Sequence, residues 1–465
     1  MAVQWTNPDS TLTLGVDRGS ATPLRAQLER ALREAIQGGR LRAGERLPPT
    51  RQLAAELGIS RGLVVDCYAQ LESEGYLVTR VGSATRVADG AGPVDPAPPE
   101  PPPPAAPAID FTPTVPDLSS FPRRAWIWAL GEACRTAPNA DLDYGHPRGN
   151  AELRGVVASY LRRARGAVAE PERIVVCAGF AQGLALVLKV LADAGIRSVA
   201  VEEPGPAYRE VVTSQAGATA IPVPVDRDGI DVDALAATGV RAVLLTPAHQ
   251  SPTGVVLAPQ RRHALLAWAR EHDAVIIEDD YDAEFRYDRE PISTLQGLAP
   301  DRVVLLGTVS KSLAPALRLG WIVSPPQLVS PLARAKRYDD RGCPELDQIA
   351  LALLMDSGRL DRHLRRMRKV YAARRAALVR AVGAYAPGVE VTGLAAGLHA
   401  VARLPDHADE ARIVAQAATR SVGLHGMAHY RLDHATRPPQ LVLGFGHLTE
   451  GAIDQGIRVV ADLLT

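Results

Sequence analysis

GTVSKSLAPALRLG, residues 307–320, follows an apolar run at 303–306 that reads as a buried strand, and so sets Lys311 on a loop at that strand's end. An amine in that position can condense with an aldehyde cofactor. Thr308, Ser310 and Arg318 surround it with two hydroxyls and a guanidinium, a set suited to gripping a phosphate. A solvated lysine beside a hydroxyl-rich loop is the bland alternative. The flanking strand weakens it, and so does the scarcity of lysine: Lys189, Lys311, Lys336 and Lys369 are the only four in 465 residues.

Outward from this run, AVIIEDDY at 274–281 puts Asp279 at the end of another strand, where a carboxylate can pair with a pyridinium nitrogen and sustain a cofactor as an electron sink. Tyr281 can donate to a phenolic oxygen on the same ring. A capped strand-to-helix turn accounts equally well for one such aspartate. Further upstream, CAGFAQG at 177–183 joins a strand to a helix, and the backbone N–H groups there form an anion seat at a helix N-terminus. Alone, that loop reads equally as a tight turn. Together the three elements supply phosphate seat, ring partner and reactive amine. Apolar runs at 174–177, 198–202, 242–245, 274–277 and 303–306 alternate with helical stretches, the pattern of buried parallel strands in an α/β sheet.

The length of 465 residues exceeds a single core and predicts a small domain joined to a large one. The joint is ADGAGPVDPAPPEPPPPAAPA at 88–108. Proline fixes φ and removes N–H donors, so this stretch reads as a semi-extended spacer, although a ligand for a proline-binding partner has the same composition. The predicted division is residues 12–87, a linker at 88–108, and residues 109–465. Charge is balanced overall, 52 basic against 52 acidic residues, yet residues 12–87 hold eleven arginines and eight acids. Cys67, Cys134, Cys177 and Cys343 form no CxxC pair, which argues against a metal site or disulfide framework and for a reducing compartment. Residues 1–10 carry no basic-then-apolar leader, and no apolar run approaches the roughly 18 residues of a membrane helix. The expectation is a cytoplasmic protein with no metal and no membrane partner.

Ahead of the linker, Leu24, Leu28, Leu32 and Ile36 recur at four-residue steps and predict an amphipathic helix over 23–37, stopped by Gly38 and Gly39. Thr50 is placed to cap a short helix over 51–57 that ends at Gly58, and Ser60 to cap a second helix running to about Glu74. Ala54 at the crossing, Gly58 in the turn and Val64 in the core meet the steric needs of a helix-turn-helix. Residues 75–83 then read as a hairpin whose tip, with Arg80, can lie against a phosphate backbone. A small helical module that binds protein is the competing reading of this stretch alone.

Residues 23–87 resemble, nearly end to end, the winged domain of the GntR family of bacterial repressors. The resemblance implies that Arg51, Ser60 and Arg61 contact double-stranded operator DNA and that Gly82 approaches the minor groove or backbone. Pro49 stands where family members carry a serine. Residues 109–465 resemble the fold type I aminotransferases. The whole is similar to the MocR regulators on TPAHQSPTG (246–254), EDDYDAEF (278–285) and the run from Ser310 to Arg318. What this implies is an α/β protein, a small N-terminal winged helix-turn-helix plus a large aminotransferase-like domain that binds pyridoxal 5'-phosphate (PLP). By that resemblance Lys311 forms the Schiff base, Asp279 pairs with the pyridinium nitrogen and Tyr281 with the phenolic oxygen. Gly179, Phe180, Ala181, Ser310 and Arg318 hold the phosphate. Tyr144, in YGHPRG (144–149), matches a tyrosine that reaches the neighbouring subunit's phosphate, which implies a domain-swapped homodimer.

Three departures mark the site. Ser251 replaces an asparagine that bonds the ring oxygen. Pro206 sits near the place of the ring-stacking aromatic, leaving Tyr208 for that role. Val442 occupies the position of the arginine that clamps an amino acid's α-carboxylate, a loss of several kcal/mol in substrate binding unless Arg209, Arg437 or His447 compensates. The expected function is a PLP-binding transcription regulator, not an enzyme. It senses PLP itself, in control of vitamin B6 synthesis, or an amine or amino-acid effector through Lys311. An active PLP-dependent aminotransferase is the alternative.

Overall fold

The computed structural model describes residues 2–6, 13–79, 84–90, 106–206, 217–282, 284–287 and 292–465. The chain divides into two units, Met1–Pro104 and Ala105–Thr465. In the first, β1 (Ala2–Thr6) and β2 (Thr13–Asp17) pair antiparallel. α1 (Leu24–Gln37) buries Leu28, Leu32 and Ile36, the stripe its four-residue spacing predicts. α2 (Thr50–Glu56) and α3 (Arg61–Ser73) follow. Gly58 turns the chain between them at φ +62°, a left-handed conformation open to a residue without a Cβ. Leu53, Ala54 and Val64 are buried in the core of this unit, as the helix-turn-helix pattern requires.

The Ser60 hydroxyl accepts from the Leu63 amide at 3.2 Å and caps α3 as expected. Thr50 does not cap α2. It is the helix's first residue, and Pro49 takes the cap position with no side-chain hydrogen bond. Proline's fixed φ suits that entry, so the helix starts one residue earlier than the hydroxyl suggested. β3 (Leu77–Val78) and β4 (Arg86–Val87) close the unit as an antiparallel pair. The hairpin therefore reaches past the expected 75–83. Its tip, with Arg80 and Gly82, lies outside the described residues, as do most of the linker, Tyr208 and Arg209.

The second unit opens with β5 (Ile109–Asp110) and the helices α4 (Arg123–Thr136), α5 (Ala151–Arg165) and α6 (Phe180–Asp193). Its main sheet consists of β6 (Ile174–Cys177), β7 (Ser198–Glu203), β8 (Thr219–Asp226), β9 (Gly229–Ile230), β10 (Ala242–Leu245), β11 (Val275–Asp280), β12 (Val303–Thr308) and β13 (Gly320–Val323). Their order is β6-β13-β12-β11-β10-β7-β8-β9. β8, β7, β10, β11 and β12 run parallel to one another. All five expected apolar runs are strands. However, β6 is not paired with a parallel neighbour: β13, which the apolar runs did not reveal, lies antiparallel between it and β12.

Because β6, β7, β10, β11 and β12 point the same way, Cys177, Glu203, Leu245, Asp280 and Thr308 end on one edge of the sheet. β13 starts at that edge, with Gly320 in register with both Thr308 and Cys177. Open α/β sheets present their ligand groups beyond these carboxyl ends. A three-stranded antiparallel sheet, Glu390–Thr392, His399–Arg403 and Gln440–Gly444, belongs to the C-terminal part. All four cysteines are free thiols. No helix among the described residues is long and apolar enough to cross a membrane.

Candidate cofactor site and DNA-binding face

The sheet edge carries an anion seat. The Thr308 and Ser310 hydroxyls are 2.8 Å apart, and the Ser310 amide donates to Thr308 Oγ1 at 3.1 Å. Across from them Gly179, at φ +82°, caps the start of α6. A Cβ on Gly179 would come within 3.3 Å of the Arg318 guanidinium, and one on Gly320 within 2.9 Å of the Gly179 Cα. Glycine at both positions thus leaves a cradle that a methyl group would fill. Arg318, itself at φ +50°, donates to the Ala178 carbonyl and so stays against the start of α6. Half-buried Phe180 and exposed Ala181 form the helix's first turn. Helix N-terminus, two hydroxyls and one guanidinium fit a phosphate ester.

Lys311 leaves this corner half-buried. Burial lowers the pKa of its amine, while the carboxylates of Asp282 and Asp279 pull the other way. A lowered pKa enlarges the neutral, nucleophilic fraction of a lysine. At the end of β11, Glu278 and Asp280 hold structural partners. Glu278 accepts from the Leu295 and Gln296 amides at 2.9 and 3.0 Å, and burial pushes its carboxyl up to about 7. Asp280 forms an ion pair with Arg165 at 2.7 Å, both side chains buried. Strand alternation puts Asp279 on the opposite face, with Ile277, which packs in the core beneath α6. Asp279 is 2% exposed. A buried carboxylate on the face of α6, near the Lys311 amine, fits the ring nitrogen of PLP.

Tyr281 is buried, and its hydroxyl donates to the His249 carbonyl at 3.2 Å. Ser251 is also buried, with its amide donating to Thr246 Oγ1 at 3.1 Å. Val442 is fully buried in the strand Gln440–Gly444 against Val401 and Met427, an apolar wall at the expected position of a carboxylate clamp. Arg437 donates to the Asp406 carbonyl, and His447 lies near Asp110, Asp117 and Arg374. Tyr144 stands on the surface, 69% exposed, with the Arg341 guanidinium 5.0 Å above its ring.

Sequence reasoning gave no role to His249, Asp282 and His399. His249 Nδ1 and Asp282 Oδ2 are 2.9 Å apart, and the His399 ring centroid is 5.0 Å from that of His249. The first two lie inside runs singled out for the resemblance. His399 is distant in sequence, and only the fold brings it in.

In the N-terminal unit Arg51, Ser60 and Arg61 are exposed at the starts of α2 and α3. Two helix N-termini with two guanidinium groups suit contact with a phosphate backbone.

Residues 24–87 match the family of bacterial regulatory proteins, gntR family, and residues 117–432 match aminotransferase class I and II. The chain is 34% identical to the HTH-type pyridoxine biosynthesis transcriptional regulator PdxR of Corynebacterium glutamicum, over 98% of its own length and 99% of that protein. It is 35% identical to the probable rhizopine catabolism regulatory protein MocR of Rhizobium meliloti, with 79% of the chain and 78% of that protein covered. Among solved structures it is similar to the kynurenine aminotransferase of Pyrococcus horikoshii, with a TM-score of 0.69, 26% identity, and 77% and 90% of the two chains covered. The large domain binds PLP, and the small one binds DNA.

Proposed function

The chain belongs to the HTH-type transcription regulators that join a GntR winged domain to an aminotransferase class I and II domain, and from that premise we propose that it controls transcription by reading PLP at Lys311. The supporting observation is the contrast between two positions. The anion seat around Gly179, Ser310 and Arg318 is complete, whereas Val442 is sealed into an apolar core where a substrate carboxylate would need an arginine. When bound, PLP supplies an aldehyde that an amine can hold reversibly.

In this reading Gly179, Phe180, Ala181, Thr308, Ser310 and Arg318 hold the phosphate. Asp279 pairs with the ring nitrogen, Tyr281 donates to the phenolic oxygen, and Lys311 presents its amine to the aldehyde. An amino-acid carboxylate meets valine rather than a guanidinium. The signal is therefore PLP itself, or an amine without an α-carboxylate. That the relative in Corynebacterium glutamicum is named for pyridoxine biosynthesis favours control of vitamin B6 supply.

The same reading takes residues 12–87 as the DNA-binding domain, 88–108 as the spacer and 109–465 as the sensor. Ile127 and Tyr144 are each 69% exposed and Leu142 is 65% exposed, large apolar side chains that a second copy of the chain would cover. A domain-swapped homodimer places Tyr144 at the neighbour's phosphate, so that cofactor occupancy biases one arrangement of the two winged domains on an operator. The test is expression from the protein's own upstream region under vitamin B6 limitation and excess. Wild type should respond and Lys311→Ala should not. A Lys311→Ala strain that keeps full regulation overturns the proposal.

A further inference from the structure

Four linked side chains tie the phosphate seat to the helix Pro326–Asp339. The Ala178 peptide, which leads into Gly179, is held on both sides. Its carbonyl accepts from Arg318, and its N–H donates to Gln182 Oε1 at 2.7 Å. Gln182 lies in the first turn of α6, and its Nε2 donates to Asp339 at 2.6 Å and to Asp340 at 2.7 Å. Both carboxylates sit at the C-terminal end of Pro326–Asp339, with Asp340 as its cap. Lys336, fully buried, bonds both Asp340 oxygens at 2.6 Å, and the Gly342 amide donates to Asp340 Oδ1 at 2.9 Å. Burial pushes the Asp340 carboxyl up, but bonds from Gln182 and Lys336 more than reverse this and keep it ionised.

Carboxylates one side chain away from an anion seat repel a phosphate ester, and Lys336 offsets only one of the two. Their geometry gives them another task. A carboxylate only accepts hydrogen bonds, so two of them on one amide group fix which end of Gln182 carries the NH2. The Gln182 oxygen is thereby left to face the Ala178 N–H, the single donor of that peptide. Without it, the turn into Gly179 at φ +82° would be held by Arg318 from one side. We propose that Gln182 and Asp340, backed by Lys336, are positioning residues that hold the Ala178–Gly179 turn, and with it the first turn of α6, in place for the phosphate of bound PLP. They thereby set how strongly the chain prefers PLP to its phosphate-free form, pyridoxal. This role rests on the reading of Gly179, Ser310 and Arg318 as the phosphate seat.

The test compares PLP with pyridoxal, by titrating the visible band of the full-length protein freed of cofactor. A general loss of structure weakens both ligands alike, whereas a displaced phosphate seat weakens PLP alone. Gln182→Leu removes the acceptor for the Ala178 N–H. It should weaken PLP by about tenfold and leave pyridoxal within about twofold of wild type. Asp340→Ala removes a negative charge, so charge alone would tighten PLP. Loss of position should instead weaken it, by about threefold, since Asp339 still holds Gln182. The combined Lys336→Met, Asp340→Ala variant leaves no unpaired buried charge, should behave alike, and serves if the single variant does not fold. Arg318→Gln should lower the preference for PLP whatever the role of Gln182. If it does so while Gln182→Leu and the Asp340 variants bind PLP at least as tightly as wild type, or lose PLP and pyridoxal equally, the positioning role is wrong and the phosphate seat stands. If Arg318→Gln leaves the preference unchanged, both fall together.

Discussion

At the scale of single residues, the cofactor corner depends on what is missing from glycine. Gly179 turns at φ +82° with the Arg318 guanidinium 3.3 Å from where a Cβ would stand. Gly179→Ala should weaken PLP binding by about tenfold or more, through both backbone strain and displacement of the arginine. A PLP titration of the visible band checks this, and a wild-type affinity would remove Gly179 from the phosphate site. Lys311 stood out in the sequence because an amine beside hydroxyls and an arginine at a strand's end has few readings. Rarity alone would not have chosen it, since Lys336 is equally rare but fully buried in an ion pair with Asp340 at 2.6 Å. His399 left no mark in the sequence, for its neighbours Pro252 and His249 come to it only through the folding of the small sheet onto the large one.

At the scale of elements, strand existence was legible and strand partnership was not. A four-residue apolar run identifies β6, but nothing in it tells a parallel neighbour from an antiparallel one. Gly-Trp-Ile-Val at 320–323 continues the lysine loop so closely that its reversal into β13 was hidden. The helix-turn-helix was read more fully, because Ala54, Gly58 and Val64 are fixed by sterics within one short segment. With Arg61 exposed at the start of α3, Arg61→Ala should lower the slope of log affinity against log salt by about one. An unchanged slope would place this residue off the phosphate backbone.

Asp117 joins the start of the second unit to the long helix Arg359–Tyr385 through a buried ion pair with Arg374 at 2.8 Å. Burial pushes its carboxyl up, but bonds from Ser119, Ser120 and Arg374 more than reverse this and hold it at about 2. A depressed carboxyl stabilises the fold above its unfolded pKa of about 3.9 and loses that contribution as pH falls through its folded value. Melting should therefore show a loss of roughly 2 kcal/mol between about pH 4 and 2. Asp117→Asn should lower stability at neutral pH and flatten that acid limb. An acid limb identical to wild type would mean that Asp117 does not contribute to it.

At the scale of the whole molecule, two units with separate cores share one chain, and the proline-rich stretch advertised that division because no helix or sheet interior tolerates it. Overall charge concealed the nucleic-acid partner. The balance of 52 against 52 hides a segment, 12–87, with eleven arginines against eight acids. Val442 marks a departure from the resemblance, and in the structure it packs against Val401 and Met427. In the proposed reading, phosphate-holding groups near Lys311 combined with valine at position 442 suit sensing better than turnover. The most direct measurement is binding of the full-length protein to its own upstream DNA, with and without PLP, for wild type and Lys311→Ala. PLP should change wild-type affinity by about five-fold or more, or alter its footprint, and should leave Lys311→Ala unmoved. Equal affinity and footprint with and without PLP in the wild type would contradict it, as would an undiminished response in Lys311→Ala.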